Sequence, residues 1–291
     1  MKNINILNGP QNVSRIILGC MRMPALNVEQ AVTMIKTASE LGINFFDHAT
    51  CYGDGDAETR FGDALPRTGL RREDVVLQSK CGLHFDRQEF DWSRDDILKS
   101  ADEILARLKT DYLDVLLLHR PDLLFDPEEV AEAFDKLYTA GKVRNFGVSN
   151  VTPGQLELLK KYVKQPLIIN QLQFSIEQSQ LIDCGLYLNN LTTERSINRD
   201  FGTLDYCRLN DITVQAWSPL QFGMFKGCFV DHPDFPELNA ALAKVGEKYG
   251  ISKTAVAIAW ILRHPAKMQA IVGTMNPAHL TDICDACKAD L

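Results

Sequence analysis

Short runs of Val, Ile and Leu alternate with stretches of helical period along almost the whole chain. Eight of these runs read as strands, at residues 15–19, 43–47, 75–80, 113–119, 143–149, 167–171, 212–218 and 270–273. Their unbroken apolar character, as in "YLDVLLLH", suits parallel strands covered on both faces. A hairpin is predicted ahead of them, turning at Asn8-Gly9.

The segments between the runs carry helix punctuation. In "DPEEVAEAFDKLYTAGKV", Asp126 is placed to cap, Pro127 takes the first helical position, and acids fill the first turn. Val130, Ala133, Phe134 and Leu137 then make one apolar face before Gly141 ends the helix. Thr152-Pro153 opens a helix in the same way, and Ser93 and Ser252 are placed to cap two more. Asn27 with Gln30 resembles a capping box. "FPELNAALAKVGEKYG" predicts a further helix, extra to the alternation.

Eight strand–helix alternations with no Pro/Ser-rich linker predict an α/β fold, a single (β/α)8 barrel of the TIM type with an N-terminal β-hairpin. It would span residues 1–291 as one domain. An open doubly wound sheet is the alternative, but no G-x-G-x-x-G follows a strand and no phosphate-binding G-x-x-x-x-G-K-[ST] occurs.

Composition narrows the setting. A net charge of −7 and a pI near 5.4 argue against nucleic acid or an anionic membrane as partner. The N-terminus is too polar for a signal peptide and no apolar stretch is long enough to span a bilayer, so a cytoplasmic protein is expected. Eight cysteines lack framework spacing and read as free thiols. Cys284-x-x-Cys287 is the one close pair, and no second pair at matching spacing makes it a zinc site, so no metal is expected.

The apolar runs end on chemistry. Asp47 closes the second, Lys80 the third and His119 the fourth. Ser149-Asn150, Gln171, Trp217-Ser218 and Gly273-Thr274 close the rest, and Tyr52 follows in the glycine-rich "CYGDG". Carboxyl ends of barrel strands form one rim, where active sites are built. Each residue alone has an ordinary reading, as a loop cap, a snorkelling lysine or a satisfied core histidine. Together they supply an acid, a phenol, an amine and an imidazole. That set suits proton delivery to a carbonyl oxygen while a hydride attacks its carbon. Asp47 would anchor Lys80, the ammonium would bring the Tyr52 phenol nearer to working pH, and His119 would orient the carbonyl. The hydride needs a cofactor.

The segments "SRIILGCMRM", "GINFFDHATCYG", "VVLQSKCG", "YLDVLLLHRPD", "GKVRNFGVSN", "NQLQFS", "VQAWSPL" and "IVGTMNP" occur in this order over essentially the whole chain. In them the chain resembles the aldo-keto reductases, above all the bacterial oxidoreductase branch with "DHA…YG" and "LLLHRPD". The resemblance implies a catalytic tetrad of Asp47, Tyr52, Lys80 and His119. It implies that NADP (as NADPH) is bound, Ser149, Asn150 and Gln171 holding the nicotinamide carboxamide and Trp217 stacking on the ring. Ser218 and Leu220 would embrace the pyrophosphate. Gly273, Thr274, Met275 and Asn276 would approach the adenosine phosphate, and Met21 and Arg22 would line the site.

Two features depart from the family. His279 stands where an arginine usually grips the 2′-phosphate of NADP, which leaves NAD open as cofactor. Asp282 is placed either to touch the adenine or to sit as a solvated helix acid. The sequence also ends at "CDACKADL", short of the family's usual C-terminal extension.

The expected partner is a small-molecule carbonyl substrate, with no nucleic acid, membrane or metal. The alternatives are a non-catalytic NADP-binding regulatory or sensor module, as in channel-associated relatives, and a metal-dependent hydrolase using His48, His84 and His119. Candidate substrate walls are segments 83–92, 177–200 and 221–234, where Phe85, Phe90, Trp92, Phe222 and Phe225 suggest an apolar mouth.

Overall fold

The computed structural model describes residues 1–291, the side chain of Cys184 excepted. β1 (Asn3–Ile4) and β2 (Val13–Ser14) pair antiparallel, with Ile4 opposite Val13. The expected hairpin therefore exists, but residues 5–12 form a longer loop rather than a two-residue turn. Gly9 N–H donates to Ile6 O at 3.0 Å, and Asn8 takes the left-handed φ of 57°.

All eight predicted barrel strands form. They are β3 (Ile16–Gly19), β4 (Phe45–Asp47) and β5 (Val76–Cys81); then, after the small antiparallel pair β6 (Leu83–His84) and β7 (Glu89–Phe90), come β8 (Val115–Leu118), β9 (Phe146–Ser149), β10 (Leu167–Gln173), β11 (Thr213–Trp217) and β12 (Gln269–Val272). They close in the order β10-β11-β12-β3-β4-β5-β8-β9, every pair parallel.

The outer layer is α1 (Val28–Glu40), α2 (Asp56–Ala64), α3 (Arg94–Leu108), α4 (Pro127–Thr139), α5 (Pro153–Tyr162), α6 (Gln180–Leu186), α7 (Thr203–Leu209), α8 (Pro236–Tyr249), α9 (Lys253–Leu262) and α10 (Pro277–Cys284). The predicted caps are in place. Asn27 with Gln30 and Thr152 with Gln155 make full capping boxes, and Ser93, Asp126 and Ser252 accept from the first turns of α3, α4 and α9. Two helices are extra to the alternation: α8, which the sequence predicts, and a second in the β10–β11 connection, which holds both α6 and α7.

Two apolar cores result from the period of two along each strand. On β4, Phe46 faces the helices while Phe45 points inward; on β5, Leu77 faces out and Val76 in. The inner core of Ile17, Phe45, Val115, Leu117 and Ile169 is closed from below by Ile6 and Val13 of the hairpin. Asp47, Gln78 and Lys80, at the next inward positions, are thereby lifted above this floor to the mouth. Among the described residues no helix is long and apolar enough to cross a membrane.

α2 and α3 touch backbone to backbone at Gly62. A Cβ there would lie 2.9 Å from the Leu108 carbonyl carbon and closer still to Arg107 O. Gly62→Ala is expected to destabilise the fold by about 1–3 kcal/mol despite alanine's better helix propensity, read as a lower urea midpoint.

Candidate active site

The ammonium of Lys80 is fully buried, and all three of its N–H directions are used. It donates to Asp47 Oδ2 at 2.8 Å, to His48 O at 2.6 Å and to Tyr52 Oη at 3.2 Å. Asp47 and Lys80 meet because both occupy inward positions on adjacent strands. Tyr52 arrives differently. Gly53, Asp54 and Gly55 are all left-handed, at φ 60°, 51° and 91°, and curl the chain into α2 so that the phenol turns back over the barrel. At Gly55 a Cβ would also meet Arg107 Cδ at 2.6 Å.

Three titrations are displaced. Burial works to lower the Lys80 pKa, but the Asp47 carboxylate, the Tyr52 oxygen and their hydrogen bonds hold it above its ordinary value. The Tyr52 phenol is pushed up to about 12 by burial, with Lys80 pulling against that rise. This corrects the expectation that the ammonium brings Tyr52 nearer to working pH: desolvation outweighs the cation, and the phenol keeps its proton. His119 is driven well below the ordinary histidine value by burial, then by Lys80 and Arg120, so its imidazole is neutral. His119 Nδ1 lies 3.5 Å from Cys51 Sγ, and its ring meets Tyr52 edge-on with centroids 6.0 Å apart.

Asp47 is held in turn by glutamines. Its Oδ1 accepts from Gln78 Nε2 at 2.6 Å and Gln171 Nε2 at 3.0 Å. Both amides also donate to Gln215 Oε1, at 2.8 and 3.1 Å. Gln215 Nε2 donates to Gln269 Oε1 at 3.0 Å, and Gln269 Nε2 reaches Ser14 O at 2.8 Å. Beside this chain, Asn150, left-handed at φ 61°, donates through Nδ2 to Ser149 Oγ at 2.7 Å and accepts from Trp217 Nε1 at 3.1 Å. The indole is thus fixed at the rim.

These groups face a cavity of about 1120 Å³. Asp47, Tyr52 and His119 are on its wall, Lys80 directly behind. Met21, Arg22, Ser149, Asn150, Gln171, Trp217, Ser218, Leu220, Gly273, Thr274, Met275 and Asn276, to which the resemblance gave cofactor roles, all line the cavity. His279 does not: it stands exposed in the first turn of α10. Asp282 accepts from Ser252 Oγ at 2.7 Å, at the cap of α9, which is a structural engagement.

The mouth is formed by segments 83–92 and 221–234, through Phe85, Phe90, Met224 and Phe225, and not by segment 177–200. Trp92 is fully buried against Phe125, and Phe222 packs on His232 and Phe235, so neither lines the opening. The three histidines of the hydrolase reading do not converge: His48 packs edge-on against Phe61, His84 bonds Asp96 and His119 faces Cys51. Among the described residues no cluster of His, Cys, Asp and Glu is arranged to hold a metal. Sequence reading missed Cys51, Arg120 and the glutamines at 78, 215 and 269. The glutamines had a signal, since each interrupts an apolar strand at an inward position.

A carboxylate-held ammonium, a protonated phenol and a neutral imidazole facing one cavity at the carboxyl ends of a (β/α)8 barrel define a barrel enzyme site. The sequence model of the Aldo/keto reductase family matches residues 15–291. The oxidoreductase YdhF of Escherichia coli strain K12 is 36% identical over 277 residues, covering 91% of this chain and 85% of that protein. A 6-dehydroglucose reductase of Agrobacterium fabrum strain C58 is 31% identical, covering 98% and 92%. Among solved structures, an aldo-keto reductase from Klebsiella pneumoniae in complex with NADPH superposes with a TM-score of 0.78 at 27% identity, over 100% of this chain and 92% of that one. The chain belongs to the aldo/keto reductase family of oxidoreductases.

His48 is buried with neither ring nitrogen hydrogen-bonded, and burial, then Lys80, lowers its pKa to about 3. A pKa depressed on folding contributes stability that is present above about pH 6.5 and is lost as pH falls towards the folded value. The free energy of unfolding is expected to fall with acid between about pH 6 and 4. His48→Leu should flatten that dependence by up to about 1.4 kcal/mol per pH unit, measured by urea titration at several pH values.

Proposed function

We propose that this protein reduces an aldehyde or ketone to the alcohol with NADPH, Tyr52 giving the proton. The observation that carries the reading is the Lys80 ammonium, gripped by Asp47 and hydrogen-bonded to the phenol that lines the cavity. The wall suits a nicotinamide. Gln171 has its amide N–H directions committed to Asp47 and Gln215, while its side-chain Oε1 takes no donor among the described residues and can accept from a carboxamide. Trp217, anchored by Asn150, offers a flat indole face beside it. The Klebsiella pneumoniae relative binds NADPH in the same fold, which supports the same cofactor here.

NADPH, when bound, supplies the hydride. Tyr52 delivers its proton to the carbonyl oxygen, and the phenolate that develops is stabilised by the ammonium already bonded to it. The raised phenol pKa keeps the donor loaded at neutral pH, and the fixed cation lowers the cost of releasing the proton at the moment of reaction. His119, neutral, orients the carbonyl. Cys51, its thiol kept protonated by burial, donates to Nδ1 and leaves the imidazole proton on Nε2 for the substrate.

Tyr52→Phe should retain NADPH binding, measured by quenching of cofactor fluorescence, and lose turnover by about 100-fold or more. Turnover at the wild-type rate would remove Tyr52 from the role. Lys80→Met should lose comparable activity, and a fast variant would break the pair. A sensor module would bind NADPH yet reduce no member of an aldehyde panel. His279→Arg, at the first turn of α10, should tighten NADP relative to NAD by about tenfold, as one added charge-assisted contact permits. An unmoved ratio places the 2′-phosphate contact elsewhere.

A further inference from the structure

The charged side chains on the cavity wall are Arg22, Asp47 and Arg120. Asp47 is neutralised by Lys80. Arg22 is exposed and donates to Gly273 O at 3.2 Å across the β3–β12 seam. Arg120 is different. It is half-buried, follows His119 at the end of β8, and makes no hydrogen bond or ion pair among the described residues. Its guanidinium carbon stands over the Trp217 ring, 5.4 Å from the centroid.

Other buried or partly buried arginines in this chain are satisfied by protein oxygens: Arg72 bonds Asp114, Arg107 bonds Glu58, and Arg15 donates twice to Met268 O. Burial holds the Arg120 pKa below the ordinary arginine value, and the ionisable groups nearest it are Tyr52 and Cys51, both neutral. An arginine left half out of water without a counter-charge is costly unless a ligand supplies one. The cavity thus carries uncompensated positive charge in a protein of net charge −7.

We infer that Arg120 is a specificity-determining residue that receives the carboxylate of an oxo-acid substrate whose carbonyl lies at Tyr52 and His119. This rests on the reductase reading above and names its substrate class. A guanidinium presents parallel N–H donors that match both oxygens of a carboxylate, which an amine does not. Arg120, His119 and Tyr52 line one cavity, so a single substrate can present a carboxylate to the first and its carbonyl to the other two. The remainder of the substrate extends toward Leu83, Phe85, Phe90 and Phe225. The reaction is oxo acid plus NADPH plus a proton giving hydroxy acid plus NADP⁺. The carbonyl carbon gains the hydride, its oxygen gains the Tyr52 proton that solvent replaces, and the carboxylate is unchanged.

The test uses the full chain with NADPH and three acids, glyoxylate, succinate semialdehyde and 2-carboxybenzaldehyde, each beside its methyl ester. The readout is the ratio of kcat/KM for acid over ester. In the wild type at least one ratio is expected to exceed about tenfold, the size of one charge-assisted contact. In Arg120→Gln that ratio should collapse toward unity, and Arg120→Lys should keep part of it. A structural role for Arg120 against Trp217 would slow acid and ester alike and leave the ratio in place.

Ratios at or below one for every pair in the wild type, or a ratio unchanged in Arg120→Gln, overturn the assignment. Ester turnover separates the two claims, since reduction of esters without preference for acids sinks the Arg120 role and spares the reductase. If none of the six compounds turns over, the aldehyde panel above decides the reductase reading by itself. Binding of the three acids to the protein–NADPH complex, followed by nicotinamide fluorescence, then decides: the assignment stands only if Arg120→Gln weakens an acid about tenfold.

Discussion

A lysine sealed from water holds this site together. Taking an ammonium out of solvent is unfavourable by several kcal/mol, roughly, and removing one member of such a pair commonly costs about 3–5 kcal/mol. Lys80 remains charged because every donor direction ends on an oxygen: a carboxylate, a carbonyl and a phenol. Burial leads the electrostatics of Tyr52 and His119, and Lys80 is the strongest charge acting on each. The cation opposes the desolvation that keeps the phenol protonated and helps keep the imidazole neutral.

The barrel makes that pair possible. Period-two alternation sends Asp47 and Lys80 inward from neighbouring strands, while the apolar floor under them, closed by Ile6 and Val13, excludes water from below. The glutamine chain from Gln78 and Gln171 through Gln215 and Gln269 to Ser14 O crosses the barrel and ends on backbone. It orients the second Asp47 oxygen, so that the carboxylate faces Lys80 with the other. The network is continuous from Asp47 to Ser14 O, although Gln78 Oε1 is buried without a partner, and a continuous buried network of this kind favours one arrangement. The cavity therefore opens over a floor whose polar groups are fixed before any ligand arrives.

Much of this was legible in the sequence. Strand ends at Asp47, Lys80, His119 and Gln171 carry their position with them, because a carboxyl end of a barrel strand can face only one rim. Caps at Asn27, Asp126 and Thr152 read directly because capping is local chemistry. What stayed hidden depends on distance in space. The rise of the Tyr52 pKa comes from burial, which no spacing reports. Gln215 and Gln269 show as polar residues in apolar strands, but their junction shows only once the barrel closes and sets Gln215 between Gln171 and Gln269. Arg120 was quoted only as part of a motif, and its want of a partner is visible only once every neighbour is placed. Segment 177–200 was read as a candidate substrate wall, yet none of its described residues lines the cavity.

The central claim is that Asp47 keeps a buried Lys80 charged for Tyr52 to use. It is tested most directly by the pH profile of kcat/KM for carbonyl reduction in Asp47→Asn against wild type. With the carboxylate gone, the largest influence opposing burial is lost and only Tyr52 still raises the lysine pKa, which therefore falls. The account predicts that the high-pH limb of the profile moves to lower pH by at least about one unit. A limb that stays where it is in the wild type would contradict it.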